Sequence, residues 1–161
     1  MICFSCLPYK YSNIYLIKED EFVTRVFLND TSFLYFFEKF RPVRNDLILN
    51  DEITQLAEYL NGKRKKFNIK FKLLGTEFQK LIWDRILCIE YADVKTYSDI
   101  AIEIKMPSAA RAVGSTCRKN VLPIIVPCHR VVSKKDMGGF FGKNSEFLII
   151  KSYLLNLERA S

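Results

Sequence analysis

The run Leu73-Leu74-Gly75-Thr76 divides the chain into two patterns, and that division constrains the fold more than any other feature. Ahead of it, residues 13–17 and 22–28 alternate apolar and polar side chains, as strands with one buried face do. Asn29-Asp30 supplies turn chemistry after them. Two helices are expected next, over 32–40, ending before Pro42, and over 51–60, ending at Asn61-Gly62. Residues 65–72 alternate apolar and basic side chains and read as a half-exposed strand.

Behind the divide the period becomes helical. Thr76 caps a helix whose Phe78, Leu81, Ile82 and Ile86 share one face, with Trp83 joining that core. Thr96-Tyr97-Ser98-Asp99 has capping-box spacing and opens a short helix over 98–104, which Lys105-Met106-Pro107 stops. Ser108 is placed to cap a further helix over 109–119, so two short helices flank a tight turn, as in a helix-turn-helix. Residues 122–126 are too short and Pro-bounded for a helix, a loop surrounds Gly138-Gly139, and Phe147, Ile150, Leu154 and Leu157 space a last helix. The expected class is α+β: a small α+β N-terminal domain over 1–72, then a mostly helical C-terminal domain over 73–161 with a winged-helix-like helix-turn-helix.

With 49% hydrophobic and 27% charged residues over 161 positions, the chain can bury a core and is not a disordered tail. No apolar run reaches the ~18 residues of a membrane span, and the start lacks the pattern of a secretory signal, so a cytoplasmic protein is expected. The net charge of +7 suits a polyanionic partner without identifying one. Five cysteines, at 3, 6, 88, 117 and 128, make a full disulfide framework improbable, although a Cys3–Cys6 bridge stays open. With one histidine in the chain, four converging metal ligands are hard to assemble, and no metal is expected.

A cysteine after an apolar run is usually inert. Cys128 has uncommon neighbours: Pro127 fixes the backbone before it, His129 is the chain's single imidazole, and Arg130 adds positive charge favouring a thiolate. On an extended segment His129 would point away from the sulfur and act through a water molecule. Glu158 continues the apolar stripe of the last helix and could orient the imidazole. Spacing alone favours the blander alternative, a frayed helix end with Glu158 in solvent. In the second short helix, Ala109, Ala110, Ala112, Gly114 and Ser115 leave a smooth surface from which Arg111 projects. Small residues of this kind often serve only tight packing.

From Gly75 to Glu158 the sequence resembles the O6-alkylguanine-DNA alkyltransferase family. Gly75-Thr76-x-Phe78-Gln79-x-x-x-Trp83 resembles the start of the family's C-terminal domain, and Ala110-Arg111-Ala112-Val113-Gly114 its recognition helix. Asn120, then Pro127-Cys128-His129-Arg130-Val131, resemble its signature, and Lys151-x-x-Leu154-Leu155-x-x-Glu158 its last helix. The resemblance implies a DNA repair protein that rotates O6-alkylguanine, chiefly O6-methylguanine, out of double-stranded DNA, with O4-methylthymine as a further substrate. The alkyl group passes irreversibly and stoichiometrically to Cys128, with no cofactor, in a monomer. It implies that His129, a water molecule and Glu158 generate the thiolate, that Asn120 ties the turns of the site together, and that Arg111 fills the hole left by the flipped base. Tyr97 would rotate the phosphate and donate to the guanine ring, and Pro123 and Val131 would line the pocket. Ala110, Ser115, Arg130 and Gly142 complete the implied contacts to DNA or substrate. Two departures stand out: Cys117 replaces a larger apolar residue, and Gly138-Gly139-Phe140-Phe141-Gly142 lacks the family's Tyr and Ser pattern.

Rival readings remain: a module that recognises damaged DNA without chemistry, a helix-turn-helix regulator, and a cysteine hydrolase. The missing oxyanion-hole signature weakens the last.

Overall fold

The computed structural model describes residues 1–135 and 145–161. The chain separates into two compact units, Met1–Leu74 and Gly75–Ser161. The architecture is mixed α+β.

The first unit is a four-stranded sheet with helices. Strands β1 (Ile2–Pro8), β2 (Asn13–Glu19) and β3 (Phe22–Phe27) form an antiparallel meander. Helix α1 (Asp30–Phe40) follows, then β4 (Val43–Arg44), parallel to β1 at the sheet edge, and α2 (Asn50–Leu60). Strand β1 was not expected, because Cys3, Phe4 and Ser5 are buried in succession and give no alternation. A strand flanked on both sides and covered on both faces loses that signal. Cys3 pairs with Lys18 and Cys6 with Tyr15, three residues apart along one strand, about 10 Å, beyond the reach of a disulfide. Both are free thiols, which closes the bridge left open above.

Asn29, expected in a turn, is the N-cap of α1, its side chain accepting from the Ser32 N–H at 2.8 Å, and Asp30 is the first helical residue. The expected strand over 65–72 is absent apart from a single bridge between Phe71 and Val23. Its backbone is held instead by a helix side chain: Gln55 of α2 accepts from the Asn68 N–H at 2.8 Å and donates to the Asn68 carbonyl at 3.1 Å. Phe4, Ile17, Phe33 and Phe36 form an aromatic core, on which Tyr15 stacks against Phe33 with ring centroids 3.8 Å apart.

The second unit carries α3 (Glu77–Leu87), β5 (Lys95–Thr96), α4 (Tyr97–Glu103) and α5 (Ala110–Arg118). A one-turn 3-10 helix (Cys128–Arg130), β6 (Val131–Val132) and α6 (Ser145–Ala160) follow. Thr76 and Gln79 form a full capping box, as do Thr96 and Asp99. Ile82, Trp83 and Ile86 are buried as expected, whereas Leu81 is 40% exposed. Gly75 is required by packing: a Cβ there would lie 2.6 Å from the Trp83 ring.

Helix α4 ends in a Schellman motif with Lys105 left-handed at φ 60° and the Met106 N–H bonded to the Ala101 carbonyl at 2.9 Å, so the stop precedes Pro107. Ser108 does not cap α5. Ala109 is its N-cap, and a Met106–Ala109 backbone turn, 2.9 Å, makes the entry without a side chain. Strands β5 and β6 pair in parallel, Lys95 with Val131 and Thr96 with Val132. None of the described helices is long and apolar enough to cross a membrane.

Candidate active site

Cys128 sits at the start of the one-turn helix, fully buried, after a tight turn of unusual backbone. Ile124 in that turn has φ 74°, a conformation costly for a β-branched residue. Asn120 holds it: its Oδ1 accepts from the Leu122 N–H at 2.9 Å, while its Nδ2 donates to the Val126 carbonyl at 2.9 Å and to Cys128 Sγ at 3.2 Å. One buried amide therefore fixes the turn and touches the sulfur.

The residues after Cys128 do not run as the extended segment expected. In the 3-10 turn, His129 Nε2 lies 2.8 Å from Glu158 Oε1. Glu158 is 1% exposed, which overturns the solvated alternative. Its carboxylate also accepts from Arg130, Nη2 to Oε1 at 2.9 Å and Nε to Oε2 at 3.0 Å, and from the Ala92 N–H at 3.1 Å. A carboxylate with this many donors is buried because it is paired. Arg130, expected at the DNA or substrate side, is itself buried, its Nη1 donating to the Ile89 carbonyl at 2.7 Å.

Burial pushes the Cys128 thiol well above its ordinary range, and the adjacent Cys117 thiol adds to this. The Asn120 hydrogen bond and the Lys151 charge pull the other way. Burial lowers the His129 imidazole, with Glu158 opposing, so the ring is neutral and able to accept a proton.

Beside this cluster, α4 and α5 border a cavity of about 480 Å³ lined by Thr96, Tyr97, Ser98, Ala110, Arg111, Gly114, Arg118, Ser133 and Lys134. A Cβ at Gly114 would meet the Tyr97 ring at 3.8 Å, so the smooth helix surface lies against that ring. Cys128 is not on this lining, nor is Ser115, which is half-buried. Pro123 and Val131 are buried on either side of Cys128 in sequence. Gly142 and the rest of the Gly138–Gly142 stretch lie outside the described residues.

Residues 77–160, just over half of the chain, match the family described as 6-O-methylguanine DNA methyltransferase, DNA binding domain. The constitutive methylated-DNA–protein-cysteine methyltransferase of Bacillus subtilis is 36% identical over 149 residues, spanning 91% of this chain and 88% of that protein. The chain belongs to the 6-O-methylguanine DNA methyltransferase family. The Methanosarcina acetivorans relative is 41% identical over 116 residues, 72% of each chain. Among solved structures, Mycobacterium tuberculosis O6-methylguanine methyltransferase superposes with a TM-score of 0.86 at 27% identity, covering 99% of this chain and 94% of that one. The structure of M. tuberculosis OGT in complex with DNA gives 0.84 at 28%, covering 98% and 93%.

Within this methyltransferase family member, the sequence reading missed several participants. Arg118 shares the cavity with Arg111 and Gly114, and the offsets of three and seven residues on one helix could have found it. Lys134 and the backbone groups of Ile89 and Ala92 carry no local signal. Lys151 was noted as part of a motif but given no role.

Proposed function

We propose that this protein is a single-use DNA repair alkyltransferase that takes the alkyl group of O6-alkylguanine, chiefly O6-methylguanine, onto Cys128. The observation that carries the reading is a buried thiol held by Asn120 in the same turn as an imidazole held by Glu158. Relatives named methylated-DNA–protein-cysteine methyltransferases support it.

Displacement at saturated carbon needs a thiolate. The Cys128 proton passes through a bridging water molecule to His129, whose developing charge the Glu158 carboxylate offsets. Sγ then forms a bond to the alkyl carbon as the bond from that carbon to guanine O6 breaks. The electron pair leaves on the base, and the Tyr97 hydroxyl donates a proton to the ring. The thioether is not reopened, so one molecule repairs one lesion.

The O6 substituent is out of reach inside a stacked duplex, so the base must be rotated out. In this reading α4 and α5 are a winged-helix-like helix-turn-helix. Arg111 enters the space left by the base, and Arg118 and Lys134 neutralise phosphates of double-stranded DNA. Residues 1–74 support the second unit, and the protein acts as a monomer in the cytoplasm. A recognition module without chemistry would have no use for a thiol held this way.

The test is intact-protein mass after mixing with duplex DNA bearing O6-methylguanine. One methyl group should appear, mapped to Cys128, and none on Cys128→Ala. A protein that removes many methyl groups, or none, is not what is proposed.

A further inference from the structure

Lys151 is the only lysine buried among the described residues, 0% exposed, and the reaction described above makes no use of it. It lies on α6, one turn ahead of Leu154 and Leu155 and two ahead of Glu158. Its ammonium donates to the Val131 carbonyl at 2.7 Å and stands 5.9 Å from the centroid of the Tyr97 ring. Three elements thus meet at one Nζ: the strand that leaves the nucleophile's turn, the helix whose tyrosine borders the cavity, and the helix that carries the acid.

A buried ammonium is costly, and an apolar side chain of similar volume would fill the same space without that penalty. Val131 already has a backbone partner in Lys95 across the β5–β6 pair, so holding β6 alone does not call for a charge. What a charge adds is a field on the neighbouring titrating groups. The Lys151 ammonium acts on both Cys128 and His129, in each case in the direction of the less protonated form. Those two groups must exchange the proton.

We propose that Lys151 is a positioning residue for alkyl transfer, fixing β6 behind Cys128 through the Val131 carbonyl and holding a positive charge that favours the Cys128 thiolate. This rests on the reading of Cys128 as alkyl acceptor. The charged or titratable groups facing the thiol and Lys151 are Cys117 on α5, Tyr97 on α4, His129 and Arg130 on the 3-10 turn, and Glu158 on α6. Of these, Arg130 is already committed to Glu158.

The experiment measures the rate of methyl gain on Cys128 against pH for the full chain, Lys151→Met and Lys151→Gln, with Trp83 fluorescence melting as the fold control. Met keeps volume and loses both hydrogen bond and charge, whereas Gln keeps a donor for Val131 and loses only the charge. At neutral pH both variants should react about tenfold or more slowly, the ratio that one unit in thiol pKa gives. The deficit should close as pH rises and the thiolate forms unaided, while the melting temperature of at least one variant stays at or above that of the unaltered chain. Rates equal to the unaltered chain overturn the proposal, as does a deficit constant across pH. If Met does not fold, Gln alone decides by the same criteria, and loss of folding in both shows a structural lysine and also overturns it. Failure of the unaltered chain to gain a methyl group would instead remove the alkyl-acceptor reading on which this rests.

Discussion

Glu158 Oε1 lies 2.8 Å from His129 Nε2, with both side chains withdrawn from solvent and 29 positions apart in the chain. The same oxygen accepts from Arg130, so one carboxylate serves an imidazole and a guanidinium at once. Replacing it with an amide leaves Arg130 buried without its counter-charge, which costs about 3 kcal/mol, and leaves His129 without the acceptor that stabilises its cation. Glu158→Gln should therefore both melt earlier and alkylate more slowly, with DNA affinity nearly intact. Melting followed by Trp83, paired with methyl transfer and a binding titration, checks all three. An unchanged alkylation rate would take Glu158 out of the proton relay.

Asn120 makes its contacts to the Leu122 N–H, the Val126 carbonyl and Cys128 Sγ from one side chain. Asn120→Ala strands buried backbone groups around the strained Ile124 and should cost about 2–4 kcal/mol. Asn120→Asp separates fold from chemistry. It keeps the acceptor for Leu122 but replaces the donor to the sulfur with a charge that repels the thiolate. Its rate of methyl transfer should fall far more than its denaturant midpoint. Equal losses in the two variants would mean that Asn120 matters only to the fold.

What was legible in the sequence was local. Thr76 with Gln79 and Thr96 with Asp99 cap helices within one turn, so their spacing suffices. The proximity of Asn120, Cys128 and His129 follows from their being within nine residues of one another. Glu158 was not legible in the same way, because its burial depends on α6 meeting the Ala92 N–H and the Arg130 guanidinium, neither visible in the spacing of α6 itself. Arg130 misled for the same reason: a basic residue beside a nucleophile reads as facing substrate until its acid is found. The 65–72 segment failed because alternation reports a half-buried face and not the partner, and here the partner of Asn68 is a glutamine side chain.

His129 makes the second unit acid-sensitive. Burial holds its folded pKa below the unfolded value, so as pH falls the unfolded chain binds the proton first and the equilibrium moves toward unfolding. The stability it confers is full above about pH 6.5 and is lost as pH falls through the folded value. The single tryptophan, Trp83, is buried in this unit and reports its melting alone. Trp83 melting temperature should fall across this acid window, and His129→Gln, which has no imidazole to titrate, should flatten that part of the curve. A parallel decline in both would assign the acid sensitivity to carboxylates.

Arg111 and Arg118 border one cavity from the same face of α5, yet the flipping mechanism gives them different work. A side chain that replaces the rotated base matters only when there is a duplex to open. Arg111→Ala should lower methyl transfer from duplex DNA by roughly tenfold to a hundredfold, while transfer from the free O6-methylguanine base stays close to that of the unaltered chain. Arg118, read as a phosphate contact, should behave otherwise. Its alanine variant should weaken binding to methylated and unmethylated duplex alike and reduce the slope of log affinity against log salt by about 0.9. Rates on oligonucleotide and base, with affinities across a salt series, distinguish the two roles. If Arg111→Ala lost as much on the free base as on the duplex, it would be acting on the chemistry of Cys128 and not on delivery of the base.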